Sequence, residues 1–187
     1  YQLAGHYSQR KRGKTILMSG LSGSGKSTLA QLLSLQLPAV WIRSDAVRKQ
    51  LGGVDLNQTG NQRLYTPAMT QWVYQTLFNL GQLVSDAGFT VILDAKFDRL
   101  DWRSPFVKLA TEQGLNLHIL HCQAPLDVLK QRLANRHEDI SDATAALLPT
   151  QQATWQDFSA AETPFVIEVD TQKAAWQTAI LEKVLDR

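Results

Sequence analysis

The sequence predicts an α/β domain whose parallel sheet is covered by helices on both faces. Short runs rich in isoleucine, valine and leucine alternate with longer segments of helical periodicity, which is typical of strands joined by helical crossovers. All but one of these runs are nearly continuous in apolar residues, as expected for strands buried on both faces. A chain of 187 residues can bury one core without disulfides or a structural metal.

Five strands and seven helices account for most of the chain. The predicted strands cover residues 15–19, 39–43, 89–93, 116–122 and 165–169, and the predicted helices cover residues 26–36, 45–51, 67–87, 101–113, 125–135, 143–161 and 172–185. Pro67 and Pro125 lie near first turns, Asp101 is placed as an N-cap, and Gly88 and Gly114 stand where helices should end. Residues 51–66 form a long polar loop, which is either functional or merely a flexible connection.

The charge distribution argues against a nucleic-acid-binding surface on the body of the domain. Four of the 19 lysine and arginine residues lie among the first 14 residues, so the remainder carries 15 positive and 17 negative side chains. The chain opens with Tyr1 rather than Met. We therefore expect residues 1–13 to be a basic linker or arm, and residues 14–187 to form a single domain at the C-terminal end of a longer protein.

Composition also predicts the cellular setting. Cys122 is the single cysteine, so no internal disulfide can form. No apolar run approaches the roughly 18 residues of a membrane span, and the N-terminus does not read as a signal peptide. These observations predict a soluble, cytoplasmic domain.

A phosphate-binding loop follows the first predicted strand. Residues 20–27 read GLSGSGKS, which matches G-x-x-x-x-G-K-[ST] at every position and stands between a strand and a helix, as a P-loop requires. Glycines let backbone N–H groups point inward around phosphate oxygens, and the helix N-terminus adds partial positive charge. The predicted nucleotide-binding residues are Ser22, Gly23, Ser24, Gly25, Lys26, Ser27 and Thr28, with Lys26 reaching the β- and γ-phosphates.

An aspartate at the end of the third strand predicts a magnesium site. Ser27 of the P-loop supplies a hydroxyl to Mg²⁺, and Asp94 stands where a Walker-B aspartate would hold the same ion. The alternative is an ordinary strand-end aspartate that caps a turn. The next residues are Ala95 and Lys96 rather than the glutamate common in motor ATPases, and no Asn-Lys-x-Asp tetrapeptide marks a guanine site. ATP is therefore the expected donor, and we expect no metal beyond the nucleotide-bound Mg²⁺.

The second strand ends at a candidate general base. Asp45 follows it at the carboxyl edge of the sheet, where open α/β folds bind ligands, and Arg48 lies one helical turn further on. Asp45 is either the base that accepts the proton of a hydroxyl acceptor or a plain helix N-cap, and the two roles are compatible. Arg48 either orients the acceptor or pairs with Asp45.

Two arginines predict a lid. Arg132 and Arg136 are four residues apart at the end of a predicted helix, and the residues after them are polar and acidic. Arginines that close over a nucleotide stabilise the charge of a transferring phosphoryl group, which places a lid at about residues 132–145. The alternative is that both arginines only complement the helix dipole.

With these motifs in order, the chain resembles P-loop kinases of the polynucleotide 5′-kinase, gluconate kinase and zeta-toxin type. It is most similar to ATP-dependent kinases often named AAA-family ATP-binding proteins. The matching segments are GLSGSGKST from Gly20, IRSDAVRK from Ile42, VILDAKF from Val91, and APLDVLKQR with NRHEDISDA from Ala124 onward. The resemblance implies a three-layer P-loop fold with strand order 2-3-1-4-5 and an arginine-bearing lid, often behind a domain that resembles aminoglycoside phosphotransferases. Lys96 departs from the small threonine of many relatives, and it either binds an anionic acceptor or points away.

Three functions remain open at this point. The first is an ATP- and Mg²⁺-dependent kinase that phosphorylates a hydroxyl of a small molecule, with Lys26, Asp45, Arg48, Arg132 and Arg136 as its catalytic residues. The second is an ATP-binding module that regulates a neighbouring N-terminal domain. The third is a polynucleotide 5′-hydroxyl kinase, which the acidic body of the domain disfavours. The acceptor is not readable from the sequence.

Overall fold

The fold is taken from a computed structural model of the chain. It describes residues 12–58, 60, 62–135, 140–173 and 175–185. Arg136 and most of the basic arm lie outside these residues.

The predicted parallel sheet is confirmed. Its strands are β1 (Thr15–Ser19), β2 (Ala39–Arg43), β3 (Thr90–Asp94), β4 (Leu117–Gln123) and β5 (Val166–Asp170). They pair in the order β2-β3-β1-β4-β5, and every pairing is parallel. The last three strands begin one residue later than predicted. All carboxyl ends lie at the same edge of the sheet, so residues that follow the strands are brought together there.

Helices cover the sheet on both sides, as predicted. They are α1 (Lys26–Gln36), α2 (Ser44–Leu51), α3 (Pro67–Asp86), α4 (Leu100–Gln113), α5 (Leu126–Ala134), α6 (Leu148–Ala153) and α7 (Trp176–Leu185). The alternation of side chains along the strands divides the core in two. Leu17 and Leu93 pack with Leu77 of α3 and Phe106 of α4, whereas Ile16 on the opposite face belongs to the cluster that contains residues of α1 and α7. The result is a three-layer sandwich.

Two predicted helices are wrong in extent. The helix predicted at 172–185 begins at Trp176, because residues 171 and 172 form a turn in which the N–H of Gln172 donates to Asp170 Oδ1 at 3.1 Å. Residues 143–161 are helical only in a 3₁₀ turn, Ala145–Leu147, and in α6, after which the chain is irregular up to a second turn at Thr163–Phe165. The carbonyl oxygens of Gln156 and Asp157 accept hydrogen bonds from Arg103 at 3.0 and 3.1 Å. Tertiary hydrogen bonds thus replace helical ones. The N-cap assigned to Asp101 is also wrong, because α4 is capped by Arg99 and Asp101 is its second residue.

A buried ion pair holds this irregular segment against α4. Arg103 is fully buried, and its Nε donates to Glu162 Oε1 at 2.6 Å, while Nη1 donates to the carbonyl of Phe97 at 3.0 Å. Glu162 Oε2 also accepts from the backbone N–H and the hydroxyl of Ser159 at 2.7 and 2.8 Å. Burial raises the pKa of Glu162, but the Arg103 and Ser159 hydrogen bonds outweigh it and lower the pKa overall.

Among the described residues, no helix combines the length and the apolar character that a bilayer crossing requires.

Replacing the buried carboxylate should destabilise the fold. Glu162→Gln leaves the Arg103 charge buried and unpaired, so we expect the free energy of unfolding to fall by about 3–5 kcal/mol. Because the pKa of Glu162 is lowered in the folded state, its contribution is complete above its ordinary pKa near 4.5 and is lost as the pH falls through the lowered value. Urea unfolding at a series of pH values measures this dependence. As the pH falls below about 4.5, the free energy of unfolding should decrease less steeply in Glu162→Gln than in the wild-type protein.

The matched control is an exposed ion pair of the same kind. Asp101 lies 3.0 Å from Arg99, and both side chains are largely exposed. Asp101→Asn should leave stability nearly unchanged. Equal effects of the two substitutions, or an unchanged pH slope in Glu162→Gln, would contradict this assignment.

Candidate active site

A large cavity opens at the carboxyl edge of the sheet. Its volume is about 1380 Å³, and the P-loop lines one part of it. The other walls come from the first turn of α2, the loop after β3, the segment 141–154 and the start of α7. A cavity of this size exceeds the usual range for one small ligand, so it has room for a nucleotide and a second molecule.

The P-loop keeps a conformation that requires glycine. Gly23 has φ +81°, and a Cβ there would stand 2.9 Å from the carbonyl oxygen of Leu129. Gly25 caps α1 with φ +92°, so the loop turns directly into the helix N-terminus. The loop thus wraps around the space where its N–H groups and the helix dipole favour an anion.

Lys26 is held at this loop by backbone oxygens. Its ammonium group donates to the carbonyl oxygens of Gly20 at 2.9 Å and Leu21 at 2.7 Å. Ser22, Gly23, Gly25, Ser27 and Thr28 line the cavity together with it. Ser24 differs from the prediction in its side chain, which is buried outside this cavity and lines a smaller one behind the loop.

Asp94 ends β3 next to the P-loop, as predicted. Its side chain is only 5% exposed, and burial raises the pKa of the carboxyl, while the Lys26 charge, a hydrogen bond from Ser27 and the Arg43 charge oppose that rise. Within the described part of the chain, Asp94 Oδ2 has no hydrogen-bond partner. A buried carboxylate oxygen beside a serine hydroxyl fits the oxygen ligands that Mg²⁺ prefers.

Asp45 and Arg48 line the same cavity from α2. Asp45 is half-buried and is the second residue of the helix, so the N-cap alternative is wrong. Arg48 is 8% exposed, and its Nη1 donates to the carbonyl of Leu64 at 2.8 Å and to Thr70 Oγ1 at 3.3 Å. Its guanidinium also lies over the Tyr65 ring at 5.2 Å. Arg48 is therefore fixed in place, and no described contact joins it to Asp45.

Asp142 bridges the two polar segments above this part of the cavity. It accepts hydrogen bonds from the backbone N–H of Gly60 at 2.9 Å and the hydroxyl of Tyr65 at 2.6 Å, and Lys49 lies 3.8 Å away. Burial and the Asp142 hydrogen bond raise the pKa of Tyr65 well above its ordinary value, so the hydroxyl stays protonated and donates. The polar loop 51–66 is thereby joined to the end of the predicted lid.

Arg132 lines the cavity and braces the P-loop. It lies within α5, where Nη1 donates to Thr171 Oγ1 at 2.9 Å and to the carbonyl of Gly23 at 3.3 Å, and Nη2 donates to the carbonyl of Thr171 at 3.0 Å. In this structure Arg132 thus contacts the loop and the residue after β5, and its closure over a nucleotide stays a prediction. Arg136, its predicted partner, lies outside the described residues.

Gln151 is a site residue that sequence reasoning missed. Its Oε1 accepts from the backbone N–H of Ser22 and its Nε2 donates to Ser22 Oγ, both at 3.0 Å. A glutamine in a polar segment carries no signal of such a role, because the contact joins residues 129 positions apart. Cys122, by contrast, is buried, and burial raises the pKa of its thiol to about 12.

Comparison with known proteins identifies the family. Residues 16–158 match the family AAA_33, described as an AAA domain. The chain belongs to this family. An uncharacterized protein of Mycobacterium tuberculosis is 32% identical over 160 residues, which is 82% of the chain and 32% of that protein. The chain thus spans about a third of the length of this protein and of two further curated relatives.

Solved structures show the same fold in kinases. A gluconokinase from Sinorhizobium meliloti superposes with a TM-score of 0.60 at 19% identity, covering 95% of the chain and 98% of the gluconokinase. The APS kinase CysC of M. tuberculosis, in complex with AMPPNP and APS, superposes with a TM-score of 0.60 at 21% identity, covering 94% and 96%. The domain therefore has a P-loop kinase fold.

Removing the P-loop lysine should weaken nucleotide binding. In Lys26→Ala the phosphates lose a charged hydrogen-bond donor, so we expect the Kd for Mg²⁺–AMPPNP to rise about 10- to 100-fold in calorimetric titration. Lys108 is an exposed lysine on α4, and Lys108→Ala should leave this Kd unchanged. Unchanged affinity in Lys26→Ala would show that the nucleotide binds elsewhere.

Proposed function

We propose that the domain is an ATP- and Mg²⁺-dependent phosphotransferase that moves the γ-phosphoryl group to a hydroxyl of a small molecule. The observation that carries this proposal is that one cavity is lined both by the P-loop and by Asp45 and Arg48. A donor on the loop and an acceptor beside Asp45 can therefore meet without leaving the protein. The gluconokinase and the APS kinase among the structural neighbours support a small acceptor.

The P-loop residues hold the donor. The N–H groups of residues 23–28 and the N-terminus of α1 face the phosphates, and Lys26 moves from the Gly20 and Leu21 carbonyls to the β- and γ-phosphate oxygens. Arg132 and Gln151 act as positioning residues, because each fixes a different residue of the loop. Arg136 remains our proposed lid arginine.

Ser27 and Asp94 would hold the metal. Bound Mg²⁺ supplies charge neutralisation at the phosphate oxygens during transfer. The chain contributes a serine hydroxyl and a buried carboxylate oxygen, and the Arg43 Nε that lies 3.7 Å from that oxygen limits its movement.

Asp45 takes the proton in the transfer step. The acceptor oxygen forms a bond to the γ-phosphorus, the bond from that phosphorus to the β–γ bridging oxygen breaks, and the hydroxyl proton passes to the Asp45 carboxylate. The products are ADP and a phosphate monoester. Arg48 orients the acceptor, and its bonds to Leu64 and Thr70 keep its guanidinium in one place.

A regulatory ATP-binding module is the second candidate. The observation that favours it is that the curated relatives are about three times as long as this chain. Such a module would bind nucleotide to control a neighbouring domain, here the proposed N-terminal partner, and would transfer no phosphate to a free acceptor.

Asp45→Asn tests the proposed base. Transfer from labelled ATP to a mixed panel of sugars, nucleosides, aminoglycosides and 5′-hydroxyl oligonucleotides should fall by at least about 100-fold in the variant, because the proton has no acceptor. The Kd for Mg²⁺–AMPPNP should stay within a few-fold. The matched control is Asp127→Asn, since Asp127 is an exposed carboxylate at the same second position of α5.

The outcomes separate the two candidates. Equal loss of transfer and nucleotide binding in Asp45→Asn would overturn the base assignment. Tight nucleotide binding with no labelled acceptor, and a response of a neighbouring domain that survives Asp45→Asn, would favour the regulatory module.

A further inference from the structure

A lysine–aspartate pair after β3 lines the cavity that Asp45 also lines. Lys96 Nζ lies 2.8 Å from Asp98 Oδ2, the lysine side chain is about one-third exposed, and the carboxylate is almost fully buried. Both residues line the cavity with Asp45 and the P-loop. Neither residue is among those that we propose to hold the nucleotide or its metal, so the pair is available for the acceptor.

The residue between them has a strained backbone. Phe97 is fully buried and has φ +44°, which is a rare conformation for a bulky residue. Such strain persists only where the surroundings fix it, and it is concentrated at functional sites. Here the N–H of Phe97 donates to the Tyr74 hydroxyl at 3.3 Å, and its carbonyl accepts from Arg103 at 3.0 Å.

The backbone on either side of Phe97 is held by hydrogen bonds to other segments, one of which is the P-loop. The carbonyl of Lys96 accepts from the N–H of Gly20 at 3.0 Å, and the carbonyl of Asp98 accepts from the N–H of Gln156 at 2.9 Å. The strained turn is thus fixed at both ends, and it holds the Lys96–Asp98 pair at a set distance from the P-loop. A binding subsite needs this rigidity.

The charges around the pair disfavour an ionic acceptor. An anionic group that took Lys96 would leave the buried Asp98 carboxylate unpaired, which is costly, and it would approach Asp45. Other cations that line the cavity are also engaged: Arg43 with Asp94, Arg99 with Asp101, and Arg48 with the carbonyl of Leu64. A cationic group would compete with Lys96 for Asp98 in the same way.

An uncharged hydroxyl-rich molecule matches the pair without breaking it. The ammonium retains N–H donors and the carboxylate retains lone pairs, so neighbouring hydroxyls can donate to Asp98 and accept from Lys96. The rings of Tyr65 and Trp102 also line the cavity and offer apolar surface for the C–H faces of such a molecule.

We propose that the acceptor is a neutral polyol, of the monosaccharide or cyclitol class, bound through two neighbouring hydroxyls to Lys96 and Asp98. This inference rests on the proposed kinase function and names its substrate class. It assigns Lys96 a role in hydroxyl recognition rather than in binding an anion.

The test compares acceptors that share a ring and differ in charge. For several stereochemistries, a neutral hexose, its hexuronic acid and its 2-amino derivative are assayed for transfer, with cyclitols added as further neutral acceptors. We expect the best neutral acceptor to exceed its charged counterparts at least about 10-fold in kcat/KM. In Asp98→Asn the KM for the best neutral acceptor should rise about 10-fold or more, and the preference among acceptors should move towards the acid. In Lys96→Met the preference should move towards the amine.

Two further measurements keep the outcomes separate. Lys173→Met and Asp170→Asn remove an exposed lysine–aspartate pair and should change neither KM nor preference. Lys96→Met leaves the buried Asp98 carboxylate unpaired, so its unfolding temperature should fall. Both variants should still unfold in one cooperative transition and bind AMPPNP as the wild-type protein does, which excludes misfolding as the cause of a raised KM.

Direct binding distinguishes failure of this inference from failure of the kinase proposal. Saturation-transfer NMR with Mg²⁺–AMPPNP present reports acceptor binding without any transfer. Binding of neutral polyols that weakens in Asp98→Asn would support the subsite even if no phosphate moved, and absent transfer would then count against the kinase proposal alone. Preference for a charged acceptor, no binding of any neutral polyol, or a KM unchanged in Asp98→Asn would overturn the inference.

Discussion

The site depends on how the P-loop backbone is held. A loop with left-handed glycines cannot stabilise itself by helical or ladder hydrogen bonds, and its N–H groups must stay available for phosphate. Here other elements supply the support: Arg132 of α5 bonds to Gly23, Gln151 of α6 bonds to Ser22, and the carbonyl of Lys96 accepts from Gly20. The loop is thus coupled to the turn after β3, to α5 and to α6, each of which contributes residues to the cavity lining.

Charge pairing is the second constraint on the cavity. Three of its carboxylates face a cation: Asp98 faces Lys96, Asp142 faces Lys49 and Asp94 faces Arg43. Pairing limits the cost of holding these groups away from water, and it fixes side chains that would otherwise be mobile. The buried pair of Arg103 and Glu162 extends the same principle below the cavity, where it orders the segment that leads from α6 to β5.

Periodicity and local motifs predict the strands, most helices and the position of the P-loop. These features can be predicted because each is determined by residues that are close together in the sequence. Strand bounds were correct to within one residue, and Asp94 and Asp45 were located by their places at strand ends. The helix predicted at 143–161 failed because Arg103, distant in sequence, binds the carbonyls of that segment. Gln151, Asp142 and Thr171 were missed for the same reason, since long-range hydrogen bonds alone bring them to the site. Lys96 was recognised as unusual, but its pairing with Asp98 depends on the conformation of Phe97.

The central claim is that the P-loop, Ser27 and Asp94 form one donor site for a nucleotide and its metal. A crystal structure of the chain with AMPPNP and Mg²⁺ tests it most directly. The account predicts phosphate oxygens within hydrogen-bond distance of the N–H groups of residues 23–27, the metal between Ser27 and Asp94, and the Lys26 ammonium moved from the Gly20 and Leu21 carbonyls to phosphate. A nucleotide bound outside the loop, or Lys26 still bonded to those carbonyls with the metal away from Asp94, would contradict it.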